Sequence, residues 1–253
     1  MSITVYWTRC NPGFKDLGAT GFATENYMSP MRYEAPVPLL KHINYQEFFG
    51  PQVSKCPAIV DDIKNTFVIK SPVDITLKIT GNKFEVEHQT LEFAQSFLGN
   101  PQGKFGVHQL AQSYLFFAEK SLVLNQLPAY YDQNNFIDST FTISASFDIG
   151  RWYRPAAKPA FIIKKGVKQI VIKQGDPLIY IKFNTSEKVK LVEFDDVEFR
   201  NLEERSPEWI CTTFKRQAVN IVPLAKCYEF FEQYHMRRRI LKLIKNNIIG
   251  ETK

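Results

Sequence analysis

Nowhere in this chain do about 18 apolar residues run together, so no helix is expected to span a membrane. Cysteine is scarce. Cys10, Cys56, Cys211 and Cys227 are scattered and form no C-x-x-C pair, which argues against a zinc clip and a disulfide framework. Four reduced thiols are expected. Histidine is scarce as well: none of His42, His88, His108 and His235 has Asp or Glu two residues later. The H-x-D/E pattern that sets two ligands on one metal is therefore missing. "GATGFATE" (18–25) lacks the Lys-Ser/Thr that completes a phosphate-binding loop. Ser, Cys and His fall into no nucleophile motif, although such triads assemble in space rather than in sequence. The opening "MSITVYWTRC" shows no basic region followed by an apolar stretch, so a secretory leader is not expected. Internal repeats and low-complexity tracts are absent too.

What is present suits a folded, β-rich domain. Of 253 residues, 44% are hydrophobic and 23% charged, close to globular averages. Phe and Tyr number 21 and 11, which favours strands around an aromatic core. The net charge of +6 is unevenly placed. From Lys215 onward nine Lys or Arg stand against three Glu, which accounts for the whole excess and leaves residues 1–214 formally neutral. A basic tail of this kind points weakly to a polyanion.

Residues 3–7 read as a short strand. From 8 to 58, short apolar pieces alternate with Pro and Gly ("NPGF", "APVPLL", "FFGP"), which predicts an ordered but irregular arm. A helical turn is expected over 58–64. Strands are expected over 65–71, 74–80 and 83–89, the last two joined by a tight turn at Gly81-Asn82. Residues 107–120 and 121–128 read as further strands. "STFTISASFDI" (139–149) alternates Phe141, Ile143, Ala145 and Phe147 against Thr140, Thr142, Ser144 and Ser146, the pattern of one half-buried strand. In "VIKQGDPLIYIKF" (171–183) a Gly-Asp-Pro turn separates two alternating strands. With Pro177 opening the second, Ile179, Ile181 and Phe183 share one face and are expected in the core. From Pro223 the period changes. Leu224, Tyr228, Phe231, Leu241, Ile244 and Ile248 fall near one face of a helix of about 25 residues that Gly250 can end.

The runs "CPAIVDDIKNTFVIKSPVDITL" (56–77), "SFDIGRWYRPAAKPAFII" (146–163) and "IKQGDPLIYIKF" (172–183) resemble a poorly characterised protein family of tailed bacteriophages, especially marine, contractile-tailed ones. The resemblance implies a phage origin and a β-rich fold, and it assigns no catalytic residue. Separately, "IKQGDPLIYIKF" is similar to the strand-turn-strand of cupin and dUTPase-like β-clip proteins. The expected architecture is thus mainly β, with a single cupin-like or β-clip-like barrel or sandwich over 59–200. An irregular arm (1–58) packs on it, and 201–253 supplies a loop and a basic, amphipathic C-terminal helix.

Two basic stretches carry the candidate sites. In "RWYRP", Arg151 and Arg154 offer forked donors to an anion, and Trp152 and Tyr153 offer stacking faces. The same residues could instead fill a strand end, with the arginines paired to Asp148. In "MRRRILKLIK", Arg237, Arg238, Arg239 and Lys242 could contact a polyanion, or could be the solvated side of a packed helix. Glu85, Glu87, His88 and His108 make a conceivable metal set, but Glu87 and His88 point to opposite faces of a strand. Neither a catalytic residue, a metal nor a cofactor is expected. The reading favours a phage-encoded, non-catalytic binding protein in the host cytoplasm or on the virion, with an anionic ligand or a protein as partner. A barrel enzyme acting on a nucleotide or other small molecule, and a nucleic-acid binder, are the alternatives.

Overall fold

The computed structural model describes residues 2–9, 34–80, 83–87, 98–102, 106–110, 114–150, 154–156, 159–194 and 236–252. The first strand, β1 (Ser2–Arg9), is followed by β2 (Val37–Pro38) and three short helices, α1 (Leu39–His42), α2 (Tyr45–Val53) and α3 (Pro57–Ile63). Seven strands come next: β3 (Thr66–Lys70), β4 (Ile75–Thr80), β5 (Lys83–Glu87), β6 (Leu98–Gln102), β7 (Val107–Leu110), β8 (Tyr114–Ala118) and β9 (Val123–Pro128). After α4 (Asn135–Ser139) the chain forms β10 (Thr140–Ile143), β11 (Ala145–Asp148), β12 (Arg154–Ala156) and β13 (Ala160–Ile163). It continues through β14 (Gln169–Ile172), β15 (Pro177–Phe183) and β16 (Lys188–Phe194), and ends in α5 (Met236–Asn246) and β17 (Ile248–Glu251).

The protein is mainly β, as expected, but its described strands form four open sheets rather than one closed barrel. Two five-stranded sheets, β12-β8-β1-β16-β17 and β11-β9-β15-β3-β2, face each other as a sandwich. Between them lies a core of Val5, Trp7, Phe67, Phe116, Ile181, Phe183 and their neighbours. The other two sheets, β10-β13-β7-β6 and β14-β4-β5, enclose a second core with Phe136 of α4, including Phe161, Ile170 and Leu178. Because β1 runs between β8 and β16, the start of the chain is an interior strand of the sandwich and not an arm laid upon it.

A corner links the two lobes. The Gly-Asp-Pro turn does not close a hairpin, since β14 pairs with β4 while β15 pairs with β3 and β9. Gly175, at φ 85°, takes the left-handed conformation that favours glycine. Its N–H donates to the Ser71 carbonyl at 2.9 Å, and the Ser71 N–H donates to the Asp176 carbonyl at 2.8 Å. The chain therefore changes sheet twice at one level, once from β3 to β4 and once from β14 to β15. Ile179, Ile181 and Phe183 are buried in the sandwich as the alternation predicts. Leu178 and Tyr180 on the opposite face are buried too, because β15 is covered on both sides.

Three further expectations need correction. The run 139–149 is not one half-buried strand. It breaks at Ser144 into β10 and β11, which join different sheets. In its first half the faces are reversed: Thr140 is buried, with its hydroxyl donating to the Phe136 carbonyl at 2.7 Å, and Phe141 is 61% exposed. Residues 39–53, read as part of the irregular arm, are largely helical. Pro51 and Pro57 sit where turns begin, and Gly50 at φ 71° kinks α2, so the punctuation separates short helices rather than loops. The final helix is also shorter than expected at its C-terminal end. Ile248 and Gly250 belong to β17, which pairs with β16, while residues 223–235 lie outside the described residues. A bond across almost the whole chain favours the strand. The buried Trp7 indole Nε1 donates to Thr252 Oγ1 at 2.8 Å, and the Thr252 N–H donates to the Leu191 carbonyl at 2.9 Å.

Candidate functional site: an aromatic face over the second sheet

On the outer side of β3 and β15, α1, α2 and the turn after β9 form a third layer. Leu39, Ile43 and Ile63 are buried there against Val68 and Tyr180. The helix α2 itself contains no buried residue, although it carries Tyr45, Phe48, Phe49 and Val53. Tyr45, Phe48 and Phe49 stand at i, i+3 and i+4, so they share one helical face. That face meets Tyr131: ring centroids lie 5.6 Å apart for Phe48–Tyr131 and 5.2 Å for Phe49–Tyr131. Tyr131 in turn contacts Tyr130 at 4.5 Å, and Tyr130 contacts Tyr180 at 5.3 Å. The continuous aromatic surface opens to solvent at its two ends, with Phe48 53% and Tyr130 47% exposed.

Polar groups fasten this layer at its rim. His42 Nε2 lies 2.8 Å from Asp132 Oδ1, and the Tyr180 hydroxyl donates to Asp132 Oδ2 at 2.6 Å. One carboxylate thus ties α1, the turn after β9 and β15 together. Lys182 Nζ donates to Asp62 Oδ1 at 2.7 Å. Burial, helped by the Asp62 charge, pushes the Tyr130 hydroxyl up to about 12. Burial first and then the Asp132 bond raise Tyr180 further, and burial also raises Tyr131. These tyrosines act as neutral amphipathic rings at ordinary pH. The Tyr45 hydroxyl is buried and finds no hydrogen-bond partner among the described residues. A shallow depression lined by residues 40–46 opens beside His42. No serine, threonine or cysteine among the described residues bonds to His42, whose ring is engaged by Asp132. The arrangement presents apolar ring surface edged by a few polar groups fixed on Asp132 and Asp62.

The sites expected from sequence lie elsewhere. Arg151, Trp152 and Tyr153 fall outside the described residues. Arg154 opens β12 at the edge of the first sheet, in register with Phe116. Asp148, the proposed arginine partner, accepts from Ser121 Oγ at 2.6 Å and from the N–H groups of Leu122 and Gly150 at 3.2 and 3.0 Å. It therefore braces a turn, as its place at a strand end suggests. On α5, Ile240 and Ile244 are buried, and the basic residues divide into two groups. The Arg237 guanidinium donates to the Glu119 carbonyl, and Lys245 Nζ lies 2.7 Å from the Glu119 carboxylate, whose pKa the Lys245 bond lowers most. Arg238 and Lys242 are exposed one turn apart, and Arg239 lies between them in the helix. The conceivable metal set is not assembled among the described residues. Glu85 and Glu87 lie in the sheet with β4, where Glu87 pairs with Lys78 at 2.5 Å. His108 lies in the other small sheet, 5.7 Å from the Phe161 ring, and burial lowers its pKa. His88 falls outside the described residues. No group of three or more His, Cys, Asp or Glu that could hold a metal occurs among the described residues.

Sequence reading passed over the aromatic face, though it left two signals: the i, i+3, i+4 spacing in "YQEFF" (45–49) and the doublet Tyr130-Tyr131 just after a strand. A comparison with protein-family models, with curated proteins and with solved structures finds no match.

Proposed function

We propose that this chain is a phage-encoded, non-catalytic binding protein whose working surface is the aromatic face of α2 and the turn at 130–131. The observation that carries the binding reading is a helix with three aromatic side chains and no buried residue, continuous with a half-exposed tyrosine. Exposed apolar surface gathered in one place marks an interaction site far more often than single exposed residues do. The phage origin rests on the resemblance carried by 56–77, 146–163 and 172–183, and action in the infected cell or on the virion follows from it. A photo-crosslinking amino acid in place of Phe48, irradiated during infection, tests the reading. We expect one identified protein, with its adduct mapped to position 48, and no such adduct from exposed Lys168 just before β14. Equal capture from both positions, or none from 48, overturns it.

Exposed Arg238 and Lys242 favour a second reading, a polyanion contact on α5. Its base is narrower, because Arg237 and Lys245 are already engaged with Glu119. A steep fall of oligonucleotide affinity with salt, flattened by Lys242→Ala, is its signature.

A further inference from the structure

Resting on the binding reading above, we propose that the aromatic face takes a short, extended, proline-bearing peptide of a partner protein. Size comes first. An aromatic side chain buries about 150–250 Å² when covered. Phe48 at 53% and Tyr130 at 47% exposure thus offer on the order of 100 Å² each, and half-buried Tyr131 and Phe49 add a fraction. The total of a few hundred Å² falls well below the ~800 Å² that each partner gives to a stable interface of two folded proteins. It matches a few residues of peptide. A second copy of this chain meeting here would need much more surface.

Shape points the same way. Phe48, Tyr131 and Tyr130 form a row with successive centroids 5.6 and 4.5 Å apart and ring planes at 80° and 64°. Rings in mutual contact leave no box for a cation, so a ligand must lie along the row. The row spans at most about 10 Å, the length of roughly three residues of polyproline II chain. This surface is built from a helix and a turn, which offer no strand edge for a main-chain ladder. Affinity must therefore come from side chains packing on rings. A chain already extended and without internal hydrogen bonds loses least entropy in such a site, which is how proline-rich segments use aromatic grooves. Charge does not favour a polyanion here: Lys41, Lys55 and Lys64 are balanced by Glu47, Asp61 and Asp62 across 39–64.

The test is selection from a displayed library of random 12-residue peptides against the full chain, followed by titration of the enriched peptides as synthetic ligands. We expect proline-bearing sequences whose affinity drops at least tenfold with Phe48→Ala and with Tyr130→Ala, and is unchanged by Arg238→Ala. Phe48→Ser, at an exposed position, serves if Tyr130→Ala does not fold. Enrichment of peptides indifferent to these changes, or no enrichment, overturns the proposal. So does a dimer in light scattering that Phe48→Ala converts to monomer, or an oligonucleotide complex lost with Phe48→Ala. If crosslinking at position 48 still identifies a partner while no peptide is enriched, this inference fails alone. If both come back empty, the binding reading falls with it.

Discussion

Both faces of β15 carry buried residues, and they are differently covered. Ile179, Ile181 and Phe183 look into the sandwich, where a second sheet seals them with aliphatic and aromatic side chains. Tyr180 looks outward, beneath short helices and two further tyrosines, and its hydroxyl is held by Asp132. On the first face most neighbours come from other strands. On the second, cover comes from elements that bury few residues of their own. The two kinds of cover predict different responses: the inner face should fail abruptly when altered, and the outer one should yield gradually.

The sharpest way to break this comparison is at the turn that closes the sandwich. Ile149, in the inner core, is held by the Leu122 carbonyl at 3.0 Å and accepts from the Ala118 N–H at 3.2 Å. That wrap leaves Gly150 no room, since a Cβ there would stand 1.7 Å from the Lys120 carbonyl oxygen. The atoms that the Cβ would meet are all backbone, so nothing can give way cheaply. Gly150→Ala is expected to cost more than about 4 kcal/mol, at the extreme of single substitutions, and to yield little folded protein. A soluble variant with an unchanged urea midpoint would mean that the turn is not packed as described. Next in size is Ile181→Ala on the inner face, for which a loss of about 2–5 kcal/mol in urea unfolding is expected. A loss below about 1 kcal/mol would place this residue in a looser environment than two sealed sheets provide.

Outside the sandwich the expected effects shrink and become local. Tyr180→Phe keeps the ring and removes the donor to Asp132, a hydrogen bond to a charged group normally worth about 1.5–3 kcal/mol. His42 still holds the same carboxylate, so the lower end is expected. Amide exchange should quicken over 39–43, where α1 loses part of its tether, and stay unchanged in β1 and β16. Faster exchange throughout the sandwich would erase the distinction between the two faces.

The legible parts of this structure are those whose signals are local. The period-2 pattern of 177–183 places Ile179, Ile181 and Phe183 together in the sandwich core, and the strands expected on either side of 81–82 pair with Thr80 opposite Lys83. Alternation alone does not say which face meets water. In β10 the apolar set is outside, because Thr140 can satisfy its hydroxyl on Phe136 and Phe141 can lie under the Lys164 ammonium, 5.1 Å from the ring centroid. The helical period before Asn246 carries no warning that Ile248 and Ile249 leave the helix for β16, since the residues that fix them, Trp7 and Leu191, are distant in sequence. The candidate site was hidden for the same reason. Its rings come from 45–49, 130–131 and 180, and only folding brings them together, whereas clustered arginines are conspicuous in any linear reading.

The smallest effect concerns the ionisation of the outer tyrosines. Tyr130 is pushed up to about 12, by burial first and the Asp62 charge next, whereas tyrosine in an unfolded chain titrates near 10. Between about pH 10 and 12 the unfolded chain gives up this proton and the folded one keeps it. The contribution is therefore fully present below pH 10 and is lost as pH rises toward 12. Tyr130 is 47% exposed, so solvent screening should reduce its share to about 1 kcal/mol or less. Comparing urea midpoints at pH 9 and pH 11 isolates it: Tyr130→Phe should lose less stability than the wild type over that interval. Ile181→Ala removes no titrating group, so it should fall in parallel with the wild type. Equal slopes for all three proteins would mean that Tyr130 is no more constrained folded than unfolded, and the polar rim of the aromatic face would then be ordinary surface.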